Sequence, residues 1–309
     1  MVDIFFQTLP FFMLIALGFV AGKINFFSEE ATAYLTKFVF YFALSAMLFR
    51  FSANLSLEAI LDWQFVLAYL SATTVVYIIA TRTALRRLAP MTEAAVEAQC
   101  AVIGNVGFLG IPMLVLLLGE AAVGPVMMVL AVDLIVFGSL IVILITGSRD
   151  GRMSPRVLIT VTVGLLKNPM IVSISLGLFV SSMDVSIPAP VNEFLGLLGA
   201  AATPGALFAI GASLAYKSAE RVAIAGWLSF CKLILHPAAV AVTALFVFDI
   251  DPYAAGVMIA AAALPVAGNV YIIAQHYGVA PTRVSASILL STMASVITVS
   301  LVIAWVTTL

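Results

Sequence analysis

Ten stretches of this chain are apolar for most of their length, and the charges fall almost wholly between them. Crossing a bilayer takes about 20 apolar residues in helical form. The expected fold is therefore an all-α integral membrane protein with ten transmembrane helices. They fall at about 4–22, 34–51, 63–81, 94–118, 123–146, 168–183, 191–215, 222–248, 253–277 and 283–307. Composition agrees: 63% of residues are hydrophobic and 9% charged, against about 25% charged in a soluble domain. The net charge of −1 gives no basic signal for nucleic acid. Cys100 and Cys231 both lie in apolar runs and read as small buried hydrophobes rather than disulfide or metal ligands. Asp3 is the sole charge before the first run, and no basic segment precedes it, so that run is expected to remain as a span.

The most polar loop is residues 147–156. Residues 157–166 are apolar but end at Lys167-Asn168-Pro169, and read as an interfacial lead-in to the sixth span. With the N-terminus outside, inner loops and inner span ends hold Lys23, Lys37, Arg82, Arg86, Arg87, Arg149, Arg152, Arg156, Lys167, Lys217, Arg221 and Arg283. Of the 14 basic residues, Arg50 and Lys232 alone depart from this side. The positive-inside rule then places both termini outside, in a multi-pass protein of the inner (plasma) membrane.

The two halves repeat. Pro10 and Gly18 match Pro169 and Gly177 at an offset of 159 residues, and Ala43–Phe49 match Ala202–Phe208 at the same offset. From the third span the offset becomes 164, pairing Trp63 with Trp227 and Asn105 with Asn269. Five spans is an odd number, so the second copy must enter the membrane upside down. The chain divides into a first five-helix repeat, 1–146, a loop and interfacial segment, 147–166, and a second, inverted repeat, 167–309.

Spans four and nine each carry Gly-Asn-Val at mid-run, at Gly104-Asn105-Val106 and Gly268-Asn269-Val270. Gly107, Gly110 and Pro112 follow the first, and Pro265 precedes the second. Glycine and proline weaken or remove helix hydrogen bonds, and broken helix at membrane depth is tolerated only in protein or beside a wet cavity. One discontinuous span per inverted half is the pattern of secondary transporters. Each asparagine either caps its own broken helix or offers its amide to a ligand. Crossed breaks would aim half-helix N-termini at one place, where a carboxylate or similar anion could bind. Tyr271 could add a hydroxyl, and Thr203-Pro204-Gly205 either lines the site from span seven or kinks it.

Asp133 lies in span five, and Lys232 and His236 share one face of span eight. Ionisable groups in a membrane mark function by default. The alternatives are a titrating set that couples proton movement to substrate and a structural Asp–Lys pair. Glu93 and Glu97 open span four, where they read as a polar entrance or as acids favoured at a helix start. No phosphate-binding loop, His-Glu-x-x-His or nucleophile motif is present, so neither an ATP-driven pump nor an intramembrane enzyme is expected.

Four segments resemble the auxin efflux carrier family in its short-loop bacterial form. They are Asn105–Pro112, Thr203–Leu214, Lys232–Pro237 and Pro265–Tyr271. The resemblance implies a fold related to bile acid/sodium symporters, with spans four and nine crossing between a scaffold part and a moving transport part. It implies Asn105, Pro112, Pro265 and Asn269 as the crossing residues. Plant members export auxin, and bacterial members are associated with dicarboxylates such as malonate and malate. The loop at 147–156 is too short for the regulated loop of plant members.

The expected function is a secondary active transporter of a small organic anion, a mono- or dicarboxylate, working by alternating access. The alternatives are an anion channel of the same fold and a non-transporting membrane receptor. Expected substrate-binding residues are Asn105, Gly107, Pro112, Thr203, Pro265, Asn269 and Tyr271, and expected coupling residues are Asp133, Lys232 and His236. No cofactor or metal is expected. The expected partners are the organic anion, a proton or alternatively sodium, and the lipid bilayer. A homodimer is compatible with the sequence but not required by it.

Overall fold

The computed structural model describes residues 2–55, 62–150, 155–183, 187–216 and 222–309. Arg152, Lys217 and Arg221, used above for orientation, lie outside the described residues, as does the side chain of Arg156. Apart from one isolated β-bridge, every regular element among the described residues is helical. The helices are α1 Val2–Lys23, α2 Glu29–Ala53, α3 Trp63–Arg86, α4 Met91–Val102, α5 Val106–Leu118, α6 Glu120–Arg149 and α7 Pro155–Leu166. They continue as α8 Pro169–Ser182, α9 Ala189–Ala215, α10 Val222–Val247, α11 Pro252–Ala262, α12 Gly268–Tyr277 and α13 Pro281–Val306.

Seven of these are long and apolar enough to cross a membrane, or eight if α7 and α8, bent by 66° where they meet, count as one span. The remaining apolar helices are shorter, because α4 stops before α5 and α11 before α12.

Local chemistry sets the starts. Asp62 caps α3, its Oδ1 accepting from the Gln64 and Phe65 amides at 2.9 and 3.1 Å. Asn168 caps α8 through the Met170 amide, with Pro169 at the first helical position. Asp251 and Pro252 do the same for α11. Such residues satisfy or dispense with the orphan N–H groups of a helix start.

The helices pack in two groups. In the first, α1 lies along the second half of α9, and α2 packs on α8 and the first half of α9. Glycine permits the closest approaches. A β-carbon on Gly18 would sit 2.1 Å from the Phe208 carbonyl oxygen, and one on Gly177 would sit 2.6 Å from that of Phe49. The second group holds α3 to α6 and α10 to α13, with α3 on α4 and α10 on α13 as its main seams. Helix α7 touches both α6 and α8 and so links the groups. Large apolar side chains such as Phe6, Met13, Leu17 and Phe246 face outward, as lipid contact requires.

Candidate functional site

The two interrupted helices meet at their breaks. After Val102 the chain turns extended at Ile103, and before Gly268 it is extended at Ala267. These short segments form an antiparallel bridge between Gly104 and Val266. The Asn105 amide donates to the Pro265 carbonyl at 2.8 Å, and the Ala267 amide donates to that of Ile103 at 3.1 Å. From α13, Ser291 Oγ accepts the Val266 amide at 3.1 Å. Backbone groups released by each break are thus taken up by the other break and by one serine, which is what a low-dielectric interior demands.

A cavity of about 1070 Å³ reaches this junction from one face of the molecule. Glu29, Lys37 and His276 stand at its mouth, and all three are exposed. Its wall comes from both helix groups, with Phe40 and Ala206 on one side and Asn105, Asp133 and Asn269 on the other. At its inner end lie the starts of α5 and α12, whose first amides have no intrahelical acceptor and carry the positive end of a helix dipole.

Neither asparagine forms a side-chain cap on the helix it begins, so the capping alternative is not what the geometry shows. Three side-chain atoms on this wall are buried and have no hydrogen-bond partner among the described residues: Asn269 Oδ1, Asp133 Oδ2 and Gln99 Oε1. Such atoms are rare in folded proteins, and each one left unmet in a buried place costs about 1–3 kcal/mol.

Behind the wall runs a polar chain across three helices. The Tyr69 hydroxyl donates to Asp133 Oδ1 at 2.8 Å. The Thr73 hydroxyl lies 2.7 Å from the Tyr69 carbonyl, to which it donates, and 3.0 Å from His236 Nε2. The other ring nitrogen, Nδ1, lies 3.3 Å from Lys232 Nζ. Lys232 donates to the carbonyl of Ala262, the last residue of α11. Lys232 and His236 are fully buried, and Asp133 is 3% exposed. The direct Asp133–Lys232 pair considered from sequence is absent from the ion pairs among the described residues.

The structure therefore gathers Asn105, Asn269, Tyr271 and Asp133 on the wall of one cavity, with Lys232 and His236 behind it; Pro265 does not line the cavity but accepts the Asn105 amide through its carbonyl. Gly107 packs on Met170 of α8 instead. Pro112 sits near the middle of α5, where its wide first turn passes into regular helix, and Thr203 sits near the middle of α9; neither lines the cavity in this conformation.

Glu97 needs correction: it forms neither an entrance nor a helix-start acid. It is buried and pairs with Arg87 and with Arg283, the latter at 2.5 Å, while Glu93 meets Arg283 at 2.9 Å. Gln99, Tyr69, Thr73 and Ser291 were missed. Only Gln99, a lone amide inside an apolar run six residues before Asn105, carried a usable signal.

Apolar helices, two of them interrupted around a deep cavity, define a multi-pass membrane protein built to admit a small solute. The sequence profile described as "Membrane transport protein" matches residues 3–303, and the chain belongs to that family, the one that includes the auxin efflux carriers. It is similar to a "Putative malonate transporter" of Rhizobium meliloti (strain 1021), with 31% identity over 97% of this chain and 95% of the relative. It is also similar to the "Uncharacterized transporter YfdV" of Escherichia coli (strain K12), with 27% identity over 95% of this chain and 94% of the relative. Family and relatives alike are transporters rather than enzymes.

Proposed function

We propose that this protein is a secondary active transporter of a small organic anion, a mono- or dicarboxylate, bound at the junction of the two breaks. The observation that carries this is the meeting of two helix starts, with the side chains of Asn105 and Asn269, at the end of one cavity, where N–H donors can face an anion; the unpartnered oxygens of Asn269, Asp133 and Gln99 beside them accept hydrogen bonds and suit a proton or a donor group of the solute rather than its carboxylate. A carboxylate suits the helix starts and the asparagine amides. The name of the Rhizobium meliloti relative makes malonate the first ligand to try.

Ten spans in two inverted five-helix repeats, 1–146 and 167–309, suit this function, and a pair of contacts supports the repeat. Gly18 abuts the Phe208 carbonyl and the Ala212 amide, and Gly177 abuts the Phe49 carbonyl and the Ala53 amide. Each residue of one set lies 159 positions from its counterpart in the other. With both termini outside the inner membrane, the mouth at Lys37 and His276 faces the cytoplasm, so this conformation is open inward. Asp133, with Lys232 and His236 behind it, is the coupling group, and a proton is the coupling ion, with sodium as the alternative.

Thermal unfolding of the detergent-purified protein with malonate and related carboxylates tests the site, because a bound ligand stabilises by mass action. The leading ligand should raise the melting temperature of the parent, and Asn105→Ala and Asn269→Ala should abolish that rise. Variants that respond like the parent would place the ligand elsewhere. Saturable uptake and counterflow in liposomes indicate a carrier, whereas ohmic current indicates a channel and binding without uptake a receptor. Uptake indifferent to a pH gradient, and unchanged in Asp133→Asn, removes proton coupling.

A further inference from the structure

Lys232 is fully buried and has no carboxylate partner among the ion pairs of the described residues. A buried charge survives only where other groups replace its water. Here those groups are acceptors. One is the Ala262 carbonyl, at the C-terminal and therefore negative end of α11. Beside it stands Nδ1 of His236, 3.3 Å from Lys232 Nζ. The Ala261 carbonyl and Lys232 Nζ also converge on Gly104, where an added β-carbon would lie 3.3 and 3.2 Å from them. The absent side chain of Gly104 thus leaves room for the ammonium at the junction of the breaks.

Half-helix C-terminal ends and unwound carbonyls are the groups with which discontinuous transporter helices hold a coupling cation. We propose that the back of this junction is a monovalent-cation site, formed by the α11 C-terminal carbonyl and His236, and permanently filled by the chain's own Lys232 ammonium. An external cation is then not needed to assemble the anion site. Lys232 acts as a positioning residue that fixes the end of α11 and holds positive charge behind the bound anion. This refines the coupling role proposed above: the ammonium stays in place through the cycle, and sodium has no vacancy there. The flux arm of the test below rests on the transporter reading; the binding arm does not.

The test compares the parent with Lys232→Ala and Lys232→Met at constant ionic strength in choline, sodium or ethylammonium chloride. In thermal unfolding the parent should be indifferent to the cation. Lys232→Ala should melt lower in choline and recover several degrees in sodium or ethylammonium. Lys232→Met, which fills the stem's volume without the charge, should melt lower and recover less. In proteoliposomes, malonate uptake by the parent should be equal in sodium and choline, while Lys232→Ala should lose most uptake in choline and regain part of it in sodium. A parent that requires sodium, or an alanine variant that no cation stabilises, overturns the proposal. A parent that melts identically in every cation but transports nothing leaves the tethered cation standing and removes the transporter reading instead.

Discussion

At the scale of single residues, the tightest constraints are steric and electrostatic rather than catalytic. A β-carbon on Gly211 would lie 1.9 Å from the Ile15 carbonyl oxygen, and no rotamer change can relieve a backbone contact. Gly211→Leu should therefore destabilise the protein by about 3 kcal/mol or more, at the upper end of overpacking effects. Gly226→Ala, with nothing within 4 Å of its added carbon, should be neutral or slightly stabilising. Thermal denaturation in detergent separates the two. Glu97 carries a second prediction. Glu97→Gln strips buried Arg283 of one of its two acid partners and leaves it the more exposed Glu93, so it should cost about 1–3 kcal/mol, less than the loss of a buried charge's sole partner. Replacing Glu97 and Arg283 together by leucine should destabilise less than the sum of the two single changes, as a double-mutant cycle in unfolding would register. Residues of this kind divide by how much of their meaning is local. Asn105, Asn269, Asp133 and Lys232 were legible because a polar group in an apolar run is costly wherever it lies. Tyr69, Thr73 and Ser291 were not, because each is an ordinary helix residue until the fold brings Asp133, His236 or the Val266 amide beside it.

At the scale of elements, the breaks are joints rather than gaps. Glycine, asparagine and proline marked them in the sequence: Gly104 falls two residues after the end of α4, Pro265 three after the end of α11, and Gly268 opens α12. Their mutual hydrogen bonding was out of reach, because a single β-bridge between segments some 160 residues apart leaves no periodic trace. Asp133 and Lys232 sit in wide π-helical turns, Asp133–Phe137 and Cys231–Leu235, and Val106–Gly110 forms another directly after Asn105. Such turns recur at functional sites because the extra residue re-aims side chains without ending the helix. Ser291 is the external support of the junction. Ser291→Ala strips the Val266 amide of its acceptor in a place closed to water and should cost about 1–3 kcal/mol. Ser295→Ala is the control, since among the described residues Ser295 bonds within its own helix, to Thr292 at 2.7 Å. The expected outcome is a lower melting temperature and weaker carboxylate binding for the first, and little change for the second. Equal behaviour of the two would mean that the junction does not depend on α13.

At the scale of the whole molecule, a cavity open at one face demands a seal at the other. Between the two helix groups that seal includes one buried polar contact: Thr8 Oγ1 of α1 lies 2.8 Å from Ser300 Oγ of α13. Both hydroxyls also donate or can donate within their own helices, Thr8 to Phe5 and Ser300 to Val296. The contact can therefore open without stranding either group, as a reversible gate requires. Under the proposed alternating access one group moves against the other, so this pair should part when the cavity at Lys37 and His276 closes. A Thr8→Cys, Ser300→Cys protein lacking Cys100 and Cys231 tests the motion, because hydroxyls this close mark positions that a disulfide can bridge with small adjustment. Oxidation should stop malonate exchange in liposomes, and reduction should restore it. Carboxylate binding from the open face, read as thermal stabilisation, should survive the crosslink, since the breaks and the cavity lie on the unsealed side. Undiminished exchange by the oxidised protein would show that the two helix groups do not separate along α1 and α13, and the moving boundary would then have to be sought between α9 and α5, where the groups also touch.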